Sequence, residues 1–146
     1  MNTPRNALAI ALMLGATIVH SETVTAICRG PSGTTVVYGD SKAENSPDGF
    51  AGGFFTYSWN TSEKVASIVS QSGTAAGSEP MTEQAGVISS PGFVSFVVVY
   101  ERALWIHTLY PDAGVIMISR HKTSSTPAGE LPLGSLMHGR CKVASR

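Results

Sequence analysis

The sequence predicts an all-β chain, an antiparallel meander closed or nearly closed into a small β-barrel of about eight strands. Three observations carry this. Past residue 21 the chain is a succession of short β-branched and aromatic runs separated by Gly, Pro, Asn, Asp and Ser. Charged residues make up only 14% of the 146 positions, while Gly reaches 15 and Pro 8, a composition that excludes a charged helical bundle. The two cysteines, Cys28 and Cys141, stand at either end of the β-rich region, so that pairing them lays the first strand beside the last, as a closed barrel requires. A two-layer β-sandwich is the alternative that the same pattern allows.

The elements follow in order. Thr23 to Arg29 alternates Val24, Ala26 and Cys28 as the inward residues of a first strand. Gly30-Pro31-Ser32-Gly33 has the residues of a turn, Thr34 to Tyr38 those of a second strand, and Gly39 to Gly49 those of a polar loop. Phe50 to Trp59 is an aromatic strand in which Gly52 and Gly53 mark a bend or bulge. Thr61 to Ser72 fits both a helical face (Val65, Ile68, Val69) and a strand (Val65, Ser67, Val69); its short, β-branched character and its neighbours favour the strand. After a small-residue loop, Gly73 to Gln84, come Ala85 to Ser90, the turn Pro91-Gly92 and the strongly apolar strand Phe93 to Glu101.

Leu104 to Tyr110 and Val115 to His121 face each other across Pro111-Asp112-Ala113-Gly114, whose residues suit a tight turn. Placing Tyr110 opposite Val115 sets Trp105 against Arg120, His107 against Ile118 and Leu109 against Ile116, with His107 and His121 on opposite faces. Neither face of this hairpin is polar throughout, so both are expected to meet protein or a ligand. Trp105, His107, Leu109, Ile116, Ile118 and Arg120 are the candidate interface. Lys122 to Pro132 is expected to be a loop, and Gly134 to Val143 the closing strand.

Met1 to Ser21 has the form of a secretory signal: Arg5 gives a positive start and Ala7 to Val19 an apolar run shorter than the roughly 20 residues a membrane span needs. Cleavage is expected before Glu22, with the site after Ala26 as the alternative, and residues 22–146 form one β domain. Ile27 is too bulky for the residue that precedes a lipid-modified cysteine. The leader takes Arg5 with it, and the near-balance of charge that remains argues against a dedicated nucleic-acid binder. In an oxidising compartment the two cysteines are expected to form a Cys28–Cys141 disulfide.

Motifs that carry chemistry are scarce. Gly39-Asp40-Ser41 opens like a GDSL-type hydrolase motif, but Lys42 replaces the leucine that should follow. No nucleophile elbow and no phosphate-binding loop occurs. Past the leader, His107, His121 and His138 lack metal-ligand spacing, and His107 between Trp105 and Leu109 is expected to be a core histidine. Asp40, Glu44 and Asp48 are expected in a solvated loop, and Glu101, Arg102 and Asp112 in turns, so no carboxylate pair is set for acid/base work. Arg120, His121, Lys122, Arg140, Lys142 and Arg146 form one basic patch if the closing strands are neighbours. The aromatic residues Phe50, Phe54, Phe55, Tyr57, Trp59, Phe93, Phe96, Tyr100, Trp105 and Tyr110 are expected mainly in the core, with part of the set available to line a barrel mouth.

The reading is therefore an exported, non-enzymatic binding module for a protein partner, a second copy of itself or a small apolar ligand, needing no metal or cofactor and meeting no nucleic acid. The alternative is a periplasmic inhibitor of a secreted or cell-wall hydrolase. On its size, export, β content and the Ser72-Gly73 pair in a loop, the chain is similar to periplasmic lysozyme inhibitors, although the aromatic residue expected shortly after that pair is missing.

Overall fold

A computed structural model describes residues 21–39, 42–50, 52–71, 79–126 and 129–145. All but one residue of the expected leader therefore lies outside the described residues, as do Asp40, Ser41, the Ser72-Gly73 pair and Arg146. Nine strands follow one another: β1 (Thr23–Gly39), β2 (Lys42–Gly49), β3 (Phe54–Asn60), β4 (Val65–Gln71), β5 (Met81–Ser90), β6 (Phe93–Tyr100), β7 (Ala103–Tyr110), β8 (Val115–Thr126) and β9 (Gly129–Ser145). Every pairing is antiparallel. The order β1-β3-β4-β5-β6-β7-β8-β9 closes on itself through β1–β9, an eight-stranded barrel, while β2 is added beside the second half of β1. The sandwich is excluded by that closure.

The wall alternates as each strand's sequence demands. Phe55, Tyr57 and Trp59 of β3, Ala66 and Ile68 of β4, Val94, Phe96 and Val98 of β6, and Leu109 of β7 point inward and are buried. An eight-stranded barrel is just wide enough for its own side chains to fill, and here aromatic rings fill it in series. Trp59 meets Phe96 with centroids 5.3 Å apart, Phe96 stacks on Tyr57 at 4.8 Å, and Tyr57 lies 5.7 Å from His107.

Cys28 stands directly opposite Cys141 at the β1–β9 seam, and their sulfurs lie 1.99 Å apart. The N–H of Cys141 donates to the carbonyl of Gly114 on the other side of β9 (2.8 Å). Toward β1, Cys141 is thus at a non-hydrogen-bonded position, where opposed residues come closest.

Four expectations are corrected. Gly30-Pro31 is not a turn between two strands but a bulge inside the single strand β1, where the register with β9 slips between Arg29 and Ser32. Gly30 takes φ +49° and Pro31, which has no N–H to give, sits where the ladder is already broken. The bulge also reverses parity: Ala26 and Cys28 are buried before it, Thr35 after it. The expected loop from Gly39 to Gly49 contains β2, in register with β1 from Ser32↔Gly49 to Gly39↔Lys42. The loop expected over Lys122 to Pro132 is largely taken up by β8 and β9, which remain paired out to Thr126↔Gly129. Similarly, β5 begins at Met81, earlier than Ala85. The ambiguous segment is the strand β4, and the hairpin of β7 and β8 has the expected register, Tyr110↔Val115 through Trp105↔Arg120.

Candidate functional site

The six side chains expected to form an interface, Trp105, His107, Leu109, Ile116, Ile118 and Arg120, all lie on the barrel's inner face. Leu109, Ile116 and Ile118 are fully buried, His107 nearly so, and Trp105 packs against the core. The interface reading for this face is corrected: its cover is the opposite wall of the same barrel.

What these residues build is a plug under one end of the barrel. Arg120 crosses from β8 to pair with Asp48 of β2, donates from Nε to Ser135 Oγ (3.0 Å), and holds its guanidinium carbon 5.3 Å from the centre of the Trp105 ring. Thr35 Oγ1 donates to the Asp48 carboxylate (2.5 Å), as does the Gly49 N–H (2.8 Å). Burial raises the Asp48 proton affinity, but Thr35, the Arg120 charge, the Gly49 N–H and Ser135 outweigh it and hold the carboxyl below its ordinary value. Phe50, just after β2, meets Phe55 at 5.0 Å and Trp105 at 6.2 Å. Asp48 is therefore not a solvated loop carboxylate, nor is Arg120 part of an outer basic patch. The inward turn of Asp48 follows from the pairing of β2 with the post-bulge half of β1, for which no sequence signal exists.

Below the plug, Tyr57 and His107 share a buried hydrogen bond of 2.7 Å to Nδ1. Tyr57 has one O–H to give. If Nδ1 accepts it, the neutral ring leaves a single Nε2–H without a partner; the other tautomer leaves both the Tyr57 hydrogen and the Nε2 lone pair unmatched. The first arrangement is the better satisfied. Burial pushes His107 down to about 4, so it is neutral at pH 7, and burial pushes the Tyr57 hydroxyl up. Among the described residues no Ser or Cys nucleophile is hydrogen-bonded to His107, and the pair is buried. It can hold position and polarity in the core but offers no path to a substrate.

The outer wall is different. Reading the registers across the strands, Val36, Gly134, His121, Leu104 and Val99 form one outward row over β1, β9, β8, β7 and β6. Thr34, Leu136, Ser119, Ile106 and Val97 form the next. Leu136 is 53% exposed and Val99 75%, with Val36, Leu104 and Met117 also exposed. Gly134 leaves a gap in the row. A groove of about 570 Å³ opens there, lined by Val36, Leu104, His121, Lys122, Pro132 and Leu133 among others, and a second of about 320 Å³ continues it past Leu136 and Ser119. At its rim Arg102 pairs with Glu130, whereas Lys122 has no carboxylate partner among the described residues. His121 sits on this outer face, bonded to Ser119 at 3.1 Å.

The remaining candidates separate. Glu101 and Asp112 are exposed in turns as expected, and Glu44 is exposed on β2. His138 bonds through Nδ1 to the carbonyl of Ser32 (2.9 Å). Arg140 and Lys142 are exposed on β9. Among the described residues no group of three or more His, Cys, Asp or Glu stands together as metal ligands would, and no helix is long and apolar enough to cross a membrane. Comparison with known proteins finds no matching family model, no matching curated protein and no matching solved structure.

Proposed function

We propose that this chain is an exported, non-enzymatic binding module that takes an extended, acidic and partly apolar segment of a partner protein on the outer wall of β1, β9, β8 and β7. The observation that carries the reading is the row of exposed apolar side chains across these strands, interrupted by the groove at Gly134. Bare apolar surface of this extent on a water-facing wall marks an interaction site. The Lys122 rim opposes a second copy of the same face, since like charges would meet, and favours a carboxylate-bearing partner. A small apolar ligand inside the barrel is the weaker reading, because aromatic rings already occupy that space. The leader-like start and the Cys28–Cys141 pair support export.

The test is affinity isolation from the exported proteins of the source cells, with the captured protein purified and rebound. Retention by the unaltered chain and loss on Leu136→Glu, which alters only an exposed side chain, are expected. Equal retention by both overturns the proposal. Self-association of the pure chain that Leu136→Glu abolishes would assign the face to a second copy instead.

A further inference from the structure

On the outer wall where β1 meets β9, away from the groove, Arg29 and Arg140 stand directly opposite each other. Like charges at opposed positions of antiparallel strands repel. Both side chains are exposed, and the two ion pairs among the described residues, Arg102–Glu130 and Arg120–Asp48, involve neither. A pairing that works against closure of the barrel seam thus carries no compensating carboxylate among the described residues.

Between the two arginines lies a depression of about 320 Å³, lined also by Gly30, Ser32, Val115, His138 and Gly139. Two of the lining residues, Gly30 and Gly139, carry no side chain. Gly30 is at the bulge with φ +49°, and a side chain at Gly139 would come within 3.3 Å of Pro31. The lining residues include donors, two arginines and a serine. His138 gives its Nδ1–H to the Ser32 carbonyl, since a carbonyl can only accept, and this fixes the ring at the edge of the depression. Lys142, two residues along β9 on the same face, adds a further positive charge.

From this arrangement we infer that the depression between Arg29 and Arg140 is a binding site for a tetrahedral oxyanion, the phosphate or sulfate group of an organic ester. Planar guanidinium forks match two oxygens of such a group at once, which makes paired arginines suited to it. The anion would also replace the repulsion across the seam by two attractions. Phe54 lies beside Arg29 in register, and Val115 and then Tyr110 lie beside Arg140, so the body carrying the ester meets apolar surface on either side of its charged group.

The probes are sodium sulfate and 4-nitrophenyl sulfate, titrated into the oxidised protein against sodium chloride of equal ionic strength and followed by amide NMR. Saturable shifts at Gly30, Ser32 and Gly139 are expected with both sulfates and not with chloride, at a severalfold lower concentration for the aryl ester. Arg140→Glu is the decisive variant, because it gives Arg29 an opposite charge: it should melt higher than the unaltered protein in chloride and lose the sulfate response. Lys122→Met should keep the response. Shifts that do not saturate, that chloride reproduces, or that survive Arg140→Glu would overturn the site, and equal affinities for the two sulfates would overturn its assignment to an ester.

Discussion

The buried Tyr57–His107 pair makes stability depend on pH in a window that the structure specifies. His107 falls from the ordinary histidine value of 6.5 to about 4 on burial. A group whose proton affinity is lower in the folded state is protonated preferentially on unfolding, so folding is fully supported above 6.5 and loses support as the pH falls from there toward 4. The whole displacement corresponds to about 3 kcal/mol, and most of it is spent by pH 4.5. With the urea dependence usual for a domain of this size, that moves the unfolding midpoint down by about 1 to 2 M. The perturbation is the double variant Tyr57→Phe/His107→Phe, which removes both polar partners at once and so leaves neither unsatisfied. Replacing both by apolar rings is expected to be close to neutral at pH 7. Tyr57→Phe alone leaves both ring nitrogens without a partner and should cost about 1 to 3 kcal/mol. The assay is urea unfolding of oxidised protein at half-unit steps from pH 7.5 to 4.5. The expected result is that the double variant, level with the unaltered protein at pH 7, is the more stable of the two at pH 4.5. Parallel pH profiles would refute the reasoning, because every other titrating group is common to both proteins.

Arg120→Met should lower stability by about 1.5 to 3 kcal/mol, since the half-buried Asp48 carboxylate loses its charged donor; chemical denaturation at pH 7 measures it. The support that Asp48 gives is intact above 3.8, its value when unfolded, and is lost below it, so Arg120→Met should also bring acid unfolding to a higher pH. Gly33→Ala should destabilise more than a usual surface change, because the added Cβ would fall 1.9 Å from the Leu136 carbonyl oxygen and 2.6 Å from the Met137 Cα, backbone that cannot step aside; thermal melting against Gly86→Ala, which has its nearest neighbour at 3.9 Å, is the comparison. Reduction of the Cys28–Cys141 bond, or its replacement by two alanines, releases a loop of 113 residues and should cost roughly 4 to 5 kcal/mol in the chain-entropy view; urea midpoints with and without reductant read this directly.

The readable parts of the sequence were those where local chemistry and burial agree. In the β7–β8 hairpin, Pro111 to Gly114 sets the turn, Gly114 adopts φ +59°, and the register then follows residue by residue to Trp105↔Arg120. The cysteine pairing is legible from the even count together with the export expected from the leader-like start. By contrast, β2 contains Asn45, Pro47, Asp48 and Gly49, residues that disfavour strands, and it is extended only because the second half of β1 offers it a partner. Such a strand at a sheet border tolerates a proline. The plug was hidden for the same reason: Asp48 reaches Arg120 across 72 positions of sequence, through a bulge that reverses which residues of β1 point inward. The outer row was half visible. The sequence of the hairpin shows two apolar faces, but which of them is inside depends on the sense in which the barrel curls, and the pattern of hydrophobicity is the same for either.

The seam between β1 and β9 has a consequence for how the molecule forms. From β4 onward each strand pairs with the one made just before it, so the wall can grow by short loop closures. Joining β9 to β1 is instead a closure over nearly the whole domain, the costliest in chain entropy and the one that cannot begin until the last strand exists. Until then the nascent wall is an open, curved ribbon with two unsatisfied borders. Oxidation of Cys28 with Cys141 locks the ribbon shut once the two borders have met, and a chain kept reduced would spend longer as the open form, with borders free to recruit another copy.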